Sequence, residues 1–140
     1  MEDAMVREEI LAFLNANPGC HLATLEGNQP RVRGMFMYRA DESGIIFHTG
    51  SFKSLYRQII QSRQVEVCFN SPDRQIRVAG TVDILDDEAL SNEILEARPW
   101  LKPLMGQKGE DGLIVFRITG CQASIWTMET NLEPTTYVGL

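Results

Sequence analysis

Residues 31–54 read RVRGMFMYRADESGIIFHTGSFKS, and the order of signals within them decides the fold. Alternation from Arg31 to Tyr38 predicts a strand with Arg31, Arg33, Met35 and Met37 on one face and Val32, Gly34, Phe36 and Tyr38 on the other. Asp41-Glu42-Ser43-Gly44 reads as a turn, and Ile45 to Thr49 as a second strand ending in His48-Thr49-Gly50. A helix is expected to open at Ser51-Phe52-Lys53-Ser54. Its spacing puts Phe52, Leu55, Tyr56, Ile59 and Ile60 on one side and Lys53, Arg57 and Gln61 largely on the other. Such a hairpin can carry the arginines of its rising strand close to the helix N-terminus delivered by the second strand. Exposed amides and the positive end of the helix dipole make that terminus a site for anions. The Ser51 and Ser54 hydroxyls, the Lys53 ammonium and the guanidinium of Arg31 or Arg33 would complete a cradle for a phosphate dianion. The same residues also describe a plain hairpin with basic surface side chains and a serine N-cap.

Outward from this stretch, Met5, Val6, Ile10, Phe13 and Leu14 share one face of a helix over residues 3–17, which Asn17-Pro18-Gly19 stops. Cys20 to Leu25 is a strand, joined through the turn Glu26-Gly27-Asn28-Gln29 to the arginine strand. Val65 to Phe69 is a short, nearly continuous apolar run and reads as a buried strand. After the turn Ser71-Pro72-Asp73-Arg74, the next strand alternates, with Ile76, Val78, Gly80, Val82 and Ile84 on one side. Asp86-Asp87-Glu88 opens an acidic helix that runs to about Arg98 and is broken by Pro99. Trp100 to Met105 reads as an irregular apolar crossing and Gly106 to Gly112 as a polar loop. Leu113 to Thr127 supplies one long strand, or two bent at Gly120, and residues 128–140 form an arm. The sum is a mainly β, α+β domain spanning 1–140: an antiparallel barrel of six to seven strands over 20–127, with flanking helices. Closure is expected because it removes exposed strand edges.

Composition narrows the function. The chain has 140 residues, 44% of them apolar and 23% charged, as in an ordinary globular domain. No apolar run approaches the roughly 18 residues of a membrane span. The acidic, amphipathic N-terminus does not read as a signal peptide, and Cys20, Cys68 and Cys121 read as reduced core thiols; both suggest a cytoplasmic protein. A net charge of −6 argues against a nucleic-acid surface, so a locally basic pocket suits a small anionic ligand better. No metal site is expected: the cysteines lack zinc spacing, His21 has no nearby partner, and Met35 and Met37 read as lining residues. Trp100 reads as a core or interface anchor.

Over most of residues 10–127 the chain resembles the pyridoxamine 5′-phosphate oxidase-related FMN-binding split barrels. The family's flavin-binding strand matches Arg31-Val32-Arg33-Gly34-Met35-Phe36. Its aromatic-Thr pair matches His48-Thr49, its Ser-x-Lys turn matches Ser51-Phe52-Lys53, and its Arg-Gln-apolar stretch matches Arg74-Gln75-Ile76. The aromatic near the end of the last strand matches Trp126. The resemblance implies FMN as cofactor, with Arg31 or Arg33, Ser51, Ser54 and Lys53 around its phosphate. Strand amides at Gly34 to Phe36 would face the flavin edge, where an exposed backbone offers the alternating donors and acceptors that a flavin needs. It also implies a homodimer with flavin between subunits, so that Gln75 or Trp126 reaches the neighbouring subunit's site. His48 could contact phosphate, pass a proton, or fill the aromatic position.

Departures separate the chain from the oxidase proper. Phe36 stands where the oxidase has a substrate-contacting lysine, Phe52 where it has a flavin-phosphate arginine, and Met128-Glu129-Thr130-Asn131-Leu132-Glu133-Pro134 is acidic where the oxidase is basic. Oxidation of pyridoxamine 5′-phosphate is therefore not expected. Two classes stay open: an oxidoreductase moving hydride or electrons between NAD(P)H and a small substrate, or a non-catalytic protein that binds or senses flavin, haem or deazaflavin. No catalytic acid or base is assigned.

Overall fold

The computed structural model describes residues 2–103 and 112–140, with side chains from Val6 onward. Helix α1 (Glu2–Ala16) leads into strands β1 (Gly19–Glu26), β2 (Gln29–Phe36), β3 (Arg39–Asp41) and β4 (Gly44–Gly50). Helix α2 (Ser54–Gln61), strands β5 (Gln64–Asn70) and β6 (Gln75–Leu85), helix α3 (Glu88–Ala97), and strands β7 (Leu113–Trp126) and β8 (Val138–Gly139) follow. Pairing is antiparallel throughout, in the order β2-β1-β5-β6-β7-β4-β3, and β8 adds to β7. Among the described residues no helix is long and apolar enough to cross a membrane.

Two expectations change here. Among the described residues the sheet is not a closed barrel, since β2 and β3 end the path without pairing to each other, and it has eight strands rather than six or seven. The extra strands are the short β3 and β8, the latter formed by the C-terminal arm returning to Gln122 and Ala123. The opening has a local cause. The predicted strand over Arg31–Tyr38 stops at Phe36. Met37 N–H then donates to the Pro18 carbonyl (2.9 Å), and Tyr38 N–H to that of Ile46 (2.9 Å). Within two residues the chain leaves the β1 side and joins the β4 side, so one continuous segment bridges the split. Met37, 1% exposed, anchors the crossing.

The unpaired edge at β3 is covered by α1: the Asn15 side chain donates to the Ala40 carbonyl (2.8 Å) and accepts from its N–H (3.0 Å). A side-chain amide thus stands in for a neighbouring strand. Ile10 and Leu14 bury the expected face of α1 against the interior, where Phe47 and Phe116 stack at 5.6 Å. A second cluster under α3 holds Ile46, Leu90, Ile94, Leu101 and Val115. Strand β4 is therefore covered on both faces, which accounts for its buried Ile45-Ile46-Phe47 run. Val65 to Phe69 is not: Glu66 is exposed and β5 alternates, burying one face only. Leu113 to Trp126 is a single strand with a bulge where Gly120, at φ +61°, breaks register opposite Gly80. Trp100 is 63% exposed, not a core anchor. The expected loop at Gly106 to Gly112, and the end of the crossing at Leu104 and Met105, lie outside the described residues apart from Gly112. Cys20 and Cys121 are buried in the core as expected, whereas Cys68 is half-buried; all three are free thiols.

Candidate functional site

Because residues 37–38 bridge the split, the Phe36 end of β2 lies beside the His48 end of β4. A cavity of about 570 Å³ occupies this junction. Arg33 to Phe36 form one wall and His48 to Gly50 another; Phe52 to Leu55, with Leu101, complete it. Its apolar surface comes from Met35, Phe36, Phe52, Leu55 and Leu101, its cations from Arg33 and Lys53, and among the described residues no carboxylate lines it. Added at Gly34, a Cβ would meet nothing within 4 Å, so this edge strand presents bare backbone there.

The helix after β4 starts later than its sequence suggests. Lys53, not a serine, is the N-cap residue, in extended conformation and without a side-chain hydrogen bond to the first turn. The expected serine cap is not made: Ser51 sits in the preceding turn, its N–H donating to the Gly112 carbonyl (2.8 Å), and does not line the cavity. Ser54 and Lys53 do line it, at an N-terminus with no side chain of its own as cap. The apolar face of α2 is also narrower than expected. Leu55 and Ile59 are buried with Gln58, whereas Phe52 (40%) and Ile60 (42%) are exposed.

Gln58 has a structural role that sequence reasoning missed. Only 4% exposed, its Oε1 accepts from the Thr24 hydroxyl (2.6 Å) and from Arg33 Nη2. Arg33 Nη1 donates to Thr24 Oγ1 (2.6 Å) and the Leu22 carbonyl (3.2 Å). Gln58 Nε2 reaches Glu26 (3.3 Å), which pairs with Arg31 (2.9 Å). Hydrogen bonds from Arg31 and Gln58 lower the Glu26 pKa, while burial lowers that of Arg33. The chain of contacts pins α2 to the β1–β2 hairpin and fixes Arg33 at the cavity wall. It also separates the two arginines: Arg31 is held at the hairpin by an exposed ion pair and is not in the lining. Val32 points outward at 68% exposure, and Thr49 is buried in the cavity wall.

Arg98 is the second missed residue. At the C-cap of α3 and 7% exposed, it donates to the carbonyls of Phe36 (3.0 Å) and Met37 (2.8 Å) and stands 2.6 Å from His48 Nε2. Its guanidinium lies over the rings of Phe36 and Tyr38, at 5.1 and 5.3 Å from their centroids. Burial first, then the charges of Arg98 and Lys53, pull the His48 pKa from 6.5 to about 4. At neutral pH His48 is uncharged. The signal for Arg98 was in the sequence: Leu90, Ile94 and Arg98 recur every fourth residue, which puts the arginine on the buried stripe of α3.

Gln75 and Trp126 are brought together with each other but not with this cavity. They are partners in the β6–β7 register, and Gln75 Nε2 donates to Asn70 Oδ1 (3.0 Å). Trp126 Nε1 donates to Asn131 Oδ1 (2.8 Å), and the ring lines a separate hollow of about 110 Å³ with Arg77 and Glu133. The cavity meets β7's neighbour β4 near Leu113, at the opposite end of this 14-residue strand.

Comparison with known proteins fits this geometry. No curated protein matches the chain in sequence. Among solved structures, a NimC/NimA family protein from Clostridium acetobutylicum superposes with a TM-score of 0.77 and 27% identity, over 95% of this chain and 92% of that one. A putative pyridoxamine 5′-phosphate oxidase from Listeria innocua is similar at 0.69 and 17%, over 88% and 98%. A pyridoxamine 5′-phosphate oxidase-related, FMN-binding protein from Nostoc punctiforme is similar at 0.63 and 18%, over 94% and 87%. The family model for pyridoxamine 5′-phosphate oxidase matches residues 6–123, and the chain therefore belongs to the pyridoxamine 5′-phosphate oxidase-like family.

Proposed function

We propose that this protein binds FMN in the cavity at the split and acts as an oxidoreductase between a reduced nicotinamide and a small substrate. One observation carries the reading. In a chain of net charge −6, this cavity gathers Arg33, Lys53 and an uncapped helix N-terminus with no carboxylate among the described lining residues. Its size lies within the roughly 300–1,000 Å³ of small-molecule sites. A groove of similar volume beside α3 is instead lined by Asp86, Asp87 and Glu88.

Lys53 and Ser54 would take the phosphate, with Arg33 supplying positive potential from its fixed position. The bare β2 edge around Gly34 and Met35 would take the polar rim of the ring, and Phe36, Phe52 and Leu101 its apolar part. FMN, when bound, supplies the redox chemistry, and the protein supplies binding, orientation and electrostatics. A neutral His48 cannot donate a proton as an imidazolium at pH 7, which fits a cofactor-driven reaction without an obligate protein acid. The separation of Gln75 and Trp126 from the cavity supports a homodimer in which each protomer completes the other's site. Val32 (68%) and Phe36 (60%) leave exposed apolar surface on β2 for such a contact. Loading the protein with FMN and adding NADH or NADPH without oxygen tests the activity: bleaching of the flavin band identifies a reductase, and a bound but unreduced flavin identifies a carrier.

A further inference from the structure

We propose that Arg98 is a positioning residue of the cavity: it holds His48 as a neutral ring protonated on Nδ1, so that the site offers a fixed N–H donor rather than a titrating cation. The geometry requires this arrangement. A guanidinium has only donors. At 2.6 Å from Arg98 Nη1, His48 Nε2 must supply a lone pair, and the ring's single proton resides on Nδ1. A second proton on Nε2 would set N–H against N–H.

Arg98 cannot easily turn away, because its other bonds go to the Phe36 and Met37 carbonyls where the chain crosses the split. It is further sandwiched between Phe36 and Tyr38. Tyr38 and Arg39 are in turn tied to Glu93 of the same helix, so α3 is fixed at both ends of the contact. The charged groups facing His48 are Arg98 from α3 and Lys53 from the turn after β4, both cations. Among the described residues no acceptor takes the Nδ1 proton, and Nδ1 is not among the buried unpartnered atoms. His48 lines the cavity, and this unpartnered donor is assigned to a ligand held there. The role in ligand binding rests on the phosphate-binding reading above; the tautomer does not.

The test is a long-range proton–nitrogen spectrum of the histidine rings in FMN-free protein labelled with nitrogen-15. With two histidines in the chain, His48→Gln assigns the signals. The wild type is expected to show His48 neutral and protonated on Nδ1 from pH 7 down to about 5. Arg98→Met is expected to move it toward the Nε2–H form and raise its titration toward the ordinary range, and Arg98→Lys to restore the Nδ1–H form. A wild-type His48 protonated on Nε2, or an unchanged tautomer in Arg98→Met, overturns the proposal; the wild-type spectrum decides even where Arg98→Met fails to fold. FMN affinity is then followed from pH 7 to 5 in both proteins, where phosphate ionisation cancels in the difference. Affinity in Arg98→Met is expected to gain relative to wild type as His48 acquires charge. Parallel profiles overturn the ligand role and leave the tautomer standing. Equal affinity of the wild type for FMN and riboflavin would reject the phosphate reading instead.

Discussion

Acid should destabilise this protein through His48 before it reaches the hydrogen-bonded carboxylates of Glu26, Asp41 and Asp73. Folding holds His48 at about 4, against 6.5 for the free side chain. The unfolded chain therefore binds more protons between those values, and stability rises with pH across that window. The contribution is fully present above about pH 6.5 and is lost as pH falls toward 4. At 1.36 kcal/mol per pH unit the whole interval is worth on the order of 3 kcal/mol. His48 is only half-buried and borders an open cavity, so solvent screening reduces this, and about 1–2 kcal/mol is expected between pH 7 and pH 5. Hydrogen bonds and neighbouring arginines hold Glu26, Asp41 and Asp73 below their ordinary values, and their losses begin lower. Urea unfolding followed by tryptophan fluorescence, in buffers without phosphate, reads the effect. His48→Gln keeps an acceptor for Arg98 and cannot charge, so its stability should be flatter with pH by that amount. Parallel curves for wild type and His48→Gln between pH 7 and 5 would refute the reasoning.

Lys53→Ala should weaken FMN binding by about 1.5–3 kcal/mol, the range for a charge-assisted hydrogen bond, while leaving riboflavin affinity within error in calorimetry. Gln58→Met should cost about 1–3 kcal/mol in urea unfolding, because Thr24 and Arg33 lose a common buried partner. Light scattering should give about twice the 15.8 kDa chain mass, and a monomer with full FMN affinity would contradict the shared site. Air oxidation of pyridoxamine 5′-phosphate by FMN-loaded protein should be negligible. The expectation rests on the resemblance, in which apolar Phe36 and acidic Glu129 and Glu133 stand at positions where the oxidase has cations. Turnover at about one per second or above would overturn that expectation.

The cavity was legible because all its described lining residues except Leu101 fall within residues 33–55. Alternation over Arg31–Phe36, the apolar run of β4 and the basic turn after it are local signals, and they placed Arg33, Gly34, Met35, Phe36, His48, Thr49, Lys53 and Ser54 together. What sequence periodicity could not show was the switch at Met37 and Tyr38. Alternation continues through both residues, yet their N–H groups bond to Pro18 and Ile46, on opposite sides of the split. The closed barrel and the helix start at Ser51 failed for related reasons. Edges can be covered by a side chain such as Asn15, and a turn can be closed by a distant carbonyl such as that of Gly112. Arg31 and Arg33 look equivalent in sequence. The buried Gln58, 25 residues from Arg33, holds one at the cavity together with Thr24 and the Leu22 carbonyl, while Glu26 keeps the other on the surface. Arg98 lay on a readable helical stripe, but its contacts with Phe36 and His48 span 62 and 50 residues, beyond any local pattern.

The most direct test of the cavity's assignment is calorimetric titration of the same wild-type preparation with FMN and with riboflavin, which share the ring and differ in the phosphate. Two charge-assisted contacts from Lys53 and the uncapped turn should make FMN the tighter ligand by about a hundredfold or more at low salt, with the gap narrowing as salt rises. Equal affinities would contradict the assignment of the cavity between β2 and α2 as a phosphate site.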